Sequence, residues 1–222
     1  MMIDWTGIDD CFFDMDGTLL DLHFDNHFWL THVPKRFAEA RGMTLEQARS
    51  DLLGRYRDIE GTLEWYCVDH WSRELGLDIA LLKEEVDHLI NVHPHVTDLL
   101  EALGRQGKRR VLVTNAHQKS LALKLERTRL AGHFESIICA HDLGLPKEDP
   151  GFWHRLHAML PFDPARTLFV DDSLRVLHTA RGYGLAVLVA VLKPDSRQPK
   201  RQVDEFPAVS DLSELLVGLE AG

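Results

Sequence analysis

Cysteine is scarce in this chain. Cys11, Cys67 and Cys139 are the three present, widely spaced and without a Cys-x-x-Cys pair. An odd, scattered set excludes a disulfide framework and suits thiols used as small apolar side chains in a reducing compartment. Long hydrophobic runs are missing too. The longest, residues 185–192, is far too short to cross a bilayer. The stretch Met1-Met2-Ile3-Asp4-Trp5 is acidic and has neither the basic nor the apolar region of a signal peptide. These absences predict a cytoplasmic protein with no membrane partner. Positive charge is the third shortage, since 25 Lys and Arg against 35 Asp and Glu leave a formal net charge of −10. Nothing concentrates into a counter-charge for a phosphate backbone, so nucleic acid is excluded as a partner. The remaining balance, 45% hydrophobic and 27% charged over 222 residues, is that of a globular protein able to bury a large core.

What is there begins with Cys11-Phe12-Phe13-Asp14-Met15-Asp16-Gly17-Thr18, an apolar strand ending in two carboxylates. In an extended backbone Asp14 and Asp16 turn to the same face. Two such anions repel unless a cation lies between them, and a divalent ion such as Mg²⁺ accepts oxygen ligands of this kind. Gly17 then frees the chain to turn, and Thr18 is placed to hydrogen-bond that turn. A plain polar turn is the competing reading. A calcium loop is not, because Leu19 and Leu20 follow where further oxygen ligands would be required.

From about residue 94 onward, apolar strands alternate with helical patterns. Strands are predicted at 111–114, 136–139, 167–171 and 185–191, and helices at 96–106, 118–129, 152–160, 174–181 and 211–219. With residues 11–13 as first strand, this alternation predicts an α/β fold, a doubly wound parallel sheet. Residues 20–93 carry no convincing strand but have helix-forming stretches at 36–41, 45–57, 63–75 and 81–90. The predicted organisation is a core of residues 1–19 and 94–222 with an all-helical insertion of residues 20–93. Such a module over the carboxyl edge of a sheet is positioned to cover a site there.

Three further strand ends carry polar groups. Thr114-Asn115 offers a hydroxyl and an amide, Asp171-Asp172-Ser173 a second acidic pair, and Lys147 lies in a loop between them. Each alone reads as a turn, a helix cap or a surface lysine. Together they suit phosphoryl transfer. A carboxylate can attack phosphorus, a cation and a lysine can neutralise the phosphate, and a second carboxyl can handle protons.

This order of motifs resembles the haloacid dehalogenase superfamily. The resemblance implies Asp14 as nucleophile, Asp16 as general acid and base, and Thr114 and Lys147 holding the phosphoryl group. It also implies Mg²⁺ bound by Asp14, the Asp16 carbonyl and Asp172 with Asp171 in support, under a mobile helical cap. Asp16 favours a phosphatase or phosphomutase, since dehalogenases of the superfamily generally lack an acid there. Stretches including Thr62-Leu63-Glu64-Trp65-Tyr66-Cys67, Thr114-Asn115-Ala116-His117 and Pro146-Lys147-Glu148-Asp149 further resemble the bacterial GMP/IMP nucleotidases. That implies a purine 5′-monophosphate as substrate. Glu148 stands where proline is usual.

Candidate substrate contacts are Gly17, Thr18, Asn115, Asn26, Trp29 and His117. A purine could stack on Trp29, Trp65, Tyr66 or Trp71, although rings so concentrated in a small insertion more often form its core. The 13 histidines form no visible zinc set. The alternatives are a phosphatase or mutase for another small metabolite such as a sugar phosphate, and a receiver-type signalling module. The expected assembly is a monomer or homodimer.

Overall fold

A computed structural model describes residues 3–219; residues 1–2 and 220–222, the outer ends of the predicted core, lie outside the described residues. Six strands form one sheet: β1 (Asp10–Phe13), β2 (Arg109–Thr114), β3 (Ser136–Cys139), β4 (Thr167–Asp171), β5 (Val187–Val191) and β6 (Ala208–Val209). Their order is β3-β2-β1-β4-β5-β6, and every pairing is parallel. Parallel strands need crossovers, and the crossover helices cover both faces. The period-two alternation shows this directly. Cys11, Phe13, Leu112 and Val170 pack into one apolar cluster, while Phe12, Val111, Val113 and Phe169 pack into another on the opposite face.

The strand order reverses between β1 and β4, which places the crevice of a doubly wound sheet at their carboxyl ends. Register fixes what meets there. Phe13 pairs with Leu112 on one side and Val170 on the other, and the Asp14 N–H donates to the Val170 carbonyl at 2.9 Å.

Between β1 and β2 the described chain is helical: His23–His27, a π-helical turn Phe28–His32, Val33–Arg41, Leu45–Ile59, Leu63–Tyr66, Val68–Leu75, Ile79–Glu85 and a 3₁₀ turn Asp87–Leu89. These elements share an apolar cluster of their own, including Phe24, Phe28, Phe37, Leu52, Trp71 and Leu82. The two ends of the insert meet. Leu20 and Val92 form an antiparallel bridge, and the His93 N–H donates to the Leu19 carbonyl at 2.9 Å. The π turn has a local cause, because Pro34 lacks an N–H and the Val33 N–H reaches back five residues to the Phe28 carbonyl.

Three differences from the predicted elements stand out. The helix expected over 63–75 is two, broken at Cys67, whose extended backbone caps the second helix with Sγ accepting from the His70 N–H. The carbonyl of Trp65 so freed accepts from Trp71 Nε1 at 2.8 Å. The amphipathic helix expected over 211–219 is only a 3₁₀ turn, Leu212–Leu215, with Gly218 at φ +88° beyond it. β6 was not foreseen, since two residues give no periodicity to read.

Candidate active site

Asp14 follows β1, Thr114 and Asp171 end β2 and β4, and Lys147 enters from the loop after the short helix Ala140–Leu143. These separate strand ends converge on one buried ammonium. Lys147 Nζ donates to Asp14 Oδ1, to Asp171 Oδ2 at 2.7 Å and to the Val113 carbonyl at 3.1 Å, and the residue is 2% exposed. Burial alone would lower the Lys147 ammonium, but Asp14 and Asp171 hold it above the ordinary lysine range.

The carboxylates are more numerous than that one cation can balance. Oxygens of Asp14, Asp171 and Asp172 all lie within 4.8 Å of one another. Burial pushes Asp14 up to about 7, with Asp171 and Asp16 adding repulsion against Lys147. Burial likewise raises Asp172 to about 7 and Asp171 to about 6. An all-oxygen donor set with surplus negative charge fits a hard divalent cation. Gly17 permits the closeness. Its φ is +85°, and a Cβ there would lie 2.8 Å from Asp172 Cγ.

Asp16 points elsewhere. Its Oδ1 accepts from Lys124 Nζ at 2.7 Å. Lys124 also donates to Asp25 Oδ2 at 2.6 Å, and Asp25 Oδ1 accepts from Lys83 at 3.0 Å. Burial raises Asp16 despite Lys124. Burial would raise Asp25 too, but Lys124 and Lys83 hold it at about 2.

The other sequence candidates divide. Thr114 is 1% exposed and its Oγ1 accepts from the Ala116 N–H at 3.0 Å, leaving the hydroxyl proton to donate. Asn115 is engaged at both ends of its amide: Oδ1 accepts from the Lys147 N–H at 2.9 Å, and Nδ2 donates to Glu148 Oε2 at 2.9 Å. The other Glu148 oxygen accepts from the Tyr66 hydroxyl of the insert at 2.5 Å. His117 caps the helix Gln118–Thr128 through Nδ1 and lies 3.7 Å from Asp69 of the insert. Asn26 Nδ2 donates to Asp195 at 2.7 Å.

Asp14, Asp16, Thr114, Lys147, Asn26 and Trp29 are brought together on one cavity of about 480 Å³, which Asn115, His117, Asp171 and Asp172 also line. Gly17 and Thr18 are not on that wall. Gly17 abuts Asp172, and Thr18 is fully buried beside a small second cavity of about 20 Å³. The insert adds aromatic residues to the lining, Trp29, Tyr56, Trp65 and Trp71. Trp29 and Tyr56 meet edge to face at 5.8 Å, and Tyr56 meets Trp71 likewise at 5.0 Å.

Sequence reasoning missed Lys124, Asp25 and Lys83. One signal existed for Lys124: it falls three residues after Leu121 and four after Ser120, on the stripe of its helix that faces inward.

Residues 8–184 match the model of the haloacid dehalogenase-like hydrolases. The chain is 39% identical over 217 residues to the GMP/IMP nucleotidase YrfG of Escherichia coli K12, covering 98% of both chains. It is 27% identical to a phosphoglycolate phosphatase of Pseudomonas syringae pv. tomato, covering 93% of this chain and 78% of that one. Among solved structures, a HAD phosphatase from Thermococcus onnurineus superposes with a TM-score of 0.79 at 22% identity, over 95% of this chain and 97% of that one. The strand order, the convergence of three strand ends on Lys147 and these matches agree, and the chain belongs to the haloacid dehalogenase-like hydrolases.

Proposed function

We propose that the protein is a Mg²⁺-dependent phosphomonoesterase that hydrolyses purine nucleoside 5′-monophosphates, GMP and IMP foremost, to nucleoside and phosphate. The observation that carries the chemistry is the Lys147 ammonium held between Asp14 and Asp171 with Asp172 alongside. In this reading Asp14 attacks phosphorus and the bond to the leaving oxygen breaks. Lys147 and the Thr114 hydroxyl hold the non-bridging oxygens, and Asp16 gives its proton to the leaving oxygen. Asp16 then takes a proton from a water that attacks the aspartyl phosphate, releasing phosphate and restoring the Asp14 carboxylate. Asp14, Asp172 and the Asp16 carbonyl would hold Mg²⁺, with Asp171 braced by Lys147 and the Ser173 N–H; when bound, the ion offsets the charge of carboxylates and phosphate. Residues 20–93 serve as the cap of a core formed by 1–19 and 94–222.

The nucleoside is supported by the aromatic residues that the insert contributes to the cavity. Aromatic rings lining a 480 Å³ cavity suit a flat base. The relationship to phosphoglycolate phosphatases raises a second reading, which charge weighs against. Seven carboxylates and three lysines line the cavity, and each lysine is already paired with Asp14 and Asp171, with Asp16 and Asp25, or with Asp25. An anionic glycolate leaving group would meet no unpaired ammonium there, whereas a neutral nucleoside needs none. Membership of the hydrolase family leaves the receiver-type alternative without support. The test is phosphate release from GMP, IMP, AMP, phosphoglycolate and sugar phosphates, with Mg²⁺ and with chelator. GMP and IMP should lead by about tenfold or more, and faster turnover of phosphoglycolate would sink the nucleotide reading.

A further inference from the structure

The proposed reaction uses Asp16 but gives no work to the buried charges behind it. Lys124 is 1% exposed and Lys83 is 3% exposed, and burying an ammonium without purpose is costly. Three elements converge to bury them: Lys124 from the core helix Gln118–Thr128, Asp25 from His23–His27 and Lys83 from Ile79–Glu85. The charges alternate in a single file, Asp16, Lys124, Asp25, Lys83. Aromatic faces flank the file, with the Phe24 ring 5.3 Å from Lys124 Nζ and the Phe28 ring 4.3 Å from Lys83 Nζ.

Resting on the phosphomonoesterase reading, we propose that Lys124 is a positioning residue for proton transfer, fixing the Asp16 carboxyl in place through Oδ1. Because Lys124 occupies Oδ1, Oδ2 is the oxygen that carries the proton toward the leaving oxygen. Asp25 fixes Lys124 in turn, and Lys83 fixes Asp25, so the insert's own helices set the aim of an acid carried by the core. The reach matters because a proton donor works only at hydrogen-bond distance from its target, and a carboxyl free to rotate spends most of its time misdirected.

The test exploits the leaving group. An alkyl oxygen, as in a nucleotide, must be protonated as it departs, whereas p-nitrophenolate departs without a proton. Wild type, Lys124→Met and Lys124→Met/Asp25→Asn are assayed on p-nitrophenyl phosphate and on the best alkyl phosphate of the panel, expected to be GMP. The double variant removes one buried charge of each sign and decides the matter where the single variant fails to fold. Loss of kcat/KM, which reports the step in which the leaving group departs and not the shared hydrolysis of the aspartyl phosphate, should be greater on the alkyl ester than on p-nitrophenyl phosphate by about 30-fold or more. In an Asp16→Asn background the further change Lys124→Met should leave that ratio within about twofold, since the two residues act as a unit. Equal losses on both esters, or a ratio that moves again in the Asp16→Asn background, would overturn the inference while leaving the phosphatase reading intact. A wild type inert to both esters overturns the phosphatase reading and the inference with it.

Discussion

On the sheet side of the cavity the wall is carboxylate, ammonium and hydroxyl, carried on strand ends whose register leaves little freedom. On the insert side it is indole and phenol, carried on short helices packed around an apolar cluster of their own. The strand ends hold charged groups at fixed separations, as bond-making requires. The helices present broad apolar faces whose outline changes with a single side chain. On the proposed reading chemistry and selectivity belong to different layers of the molecule, and the layers are joined by polar contacts that include Tyr66 to Glu148, Lys124 to Asp25, Arg127 to Asp87 and Asn26 to Asp195.

The comparison breaks hardest at Asp14. Asp14→Asn should lower turnover of every substrate by about 10⁴-fold or more, with no loss of thermal stability, since it removes one charge from a crowded acidic cluster. Circular dichroism melts check the second half, and an unfolded variant would make the carboxylate structural. On the insert side Trp29→Ala should raise KM for GMP by about tenfold, the scale of one base–aromatic stack. Turnover of glycerol phosphate should change by less than about threefold, because that ester has no ring to stack. A uniform loss on both would return Trp29 to the core of the insert.

Metal and pH probe the sheet side alone. Asp14 and Asp172 at about 7 and Asp171 at about 6 lie above the ordinary carboxyl value of 3.8. The folded metal-free protein therefore binds protons more tightly than the unfolded chain. That stabilisation is complete below about pH 4 and is lost as pH rises through about 6 to 7. The Tm of chelator-treated protein should fall by several degrees between about pH 5 and pH 8, and Mg²⁺ should restore it at the upper end. A Tm independent of both would mean that the acidic cluster holds no cation. The smallest effect is expected where the layers meet: Tyr66→Phe should cost about 0.5–1.5 kcal/mol, one hydrogen bond, measured by denaturant unfolding.

The sheet layer was legible in the sequence because its signals are local. An apolar run ending in Asp14-x-Asp16 or Asp171-Asp172 declares both strand and site, and parallel strands place those ends together. Lys124 and Asp25 are separated by 99 residues, and Lys83 and Asp25 by 58, so no pattern along the chain announces their pairing. Asn115 and His117 read as substrate contacts from their position beside Thr114. The fold shows that they also staple the loop to Lys147 and cap a helix, roles that depend on partners sequence does not display. The break at Cys67 was hidden because apolar spacing continues across it while the backbone does not.

Leu20 and Val92 give the insert a single doorway. A chain that leaves and re-enters at one point can have everything between exchanged, lengthened or reshaped without displacing Asp14. On the proposed reading, the doorway makes the aromatic chamber a replaceable part, open to remodelling for new leaving groups as long as Asp25 and Lys83 keep their hold on Lys124.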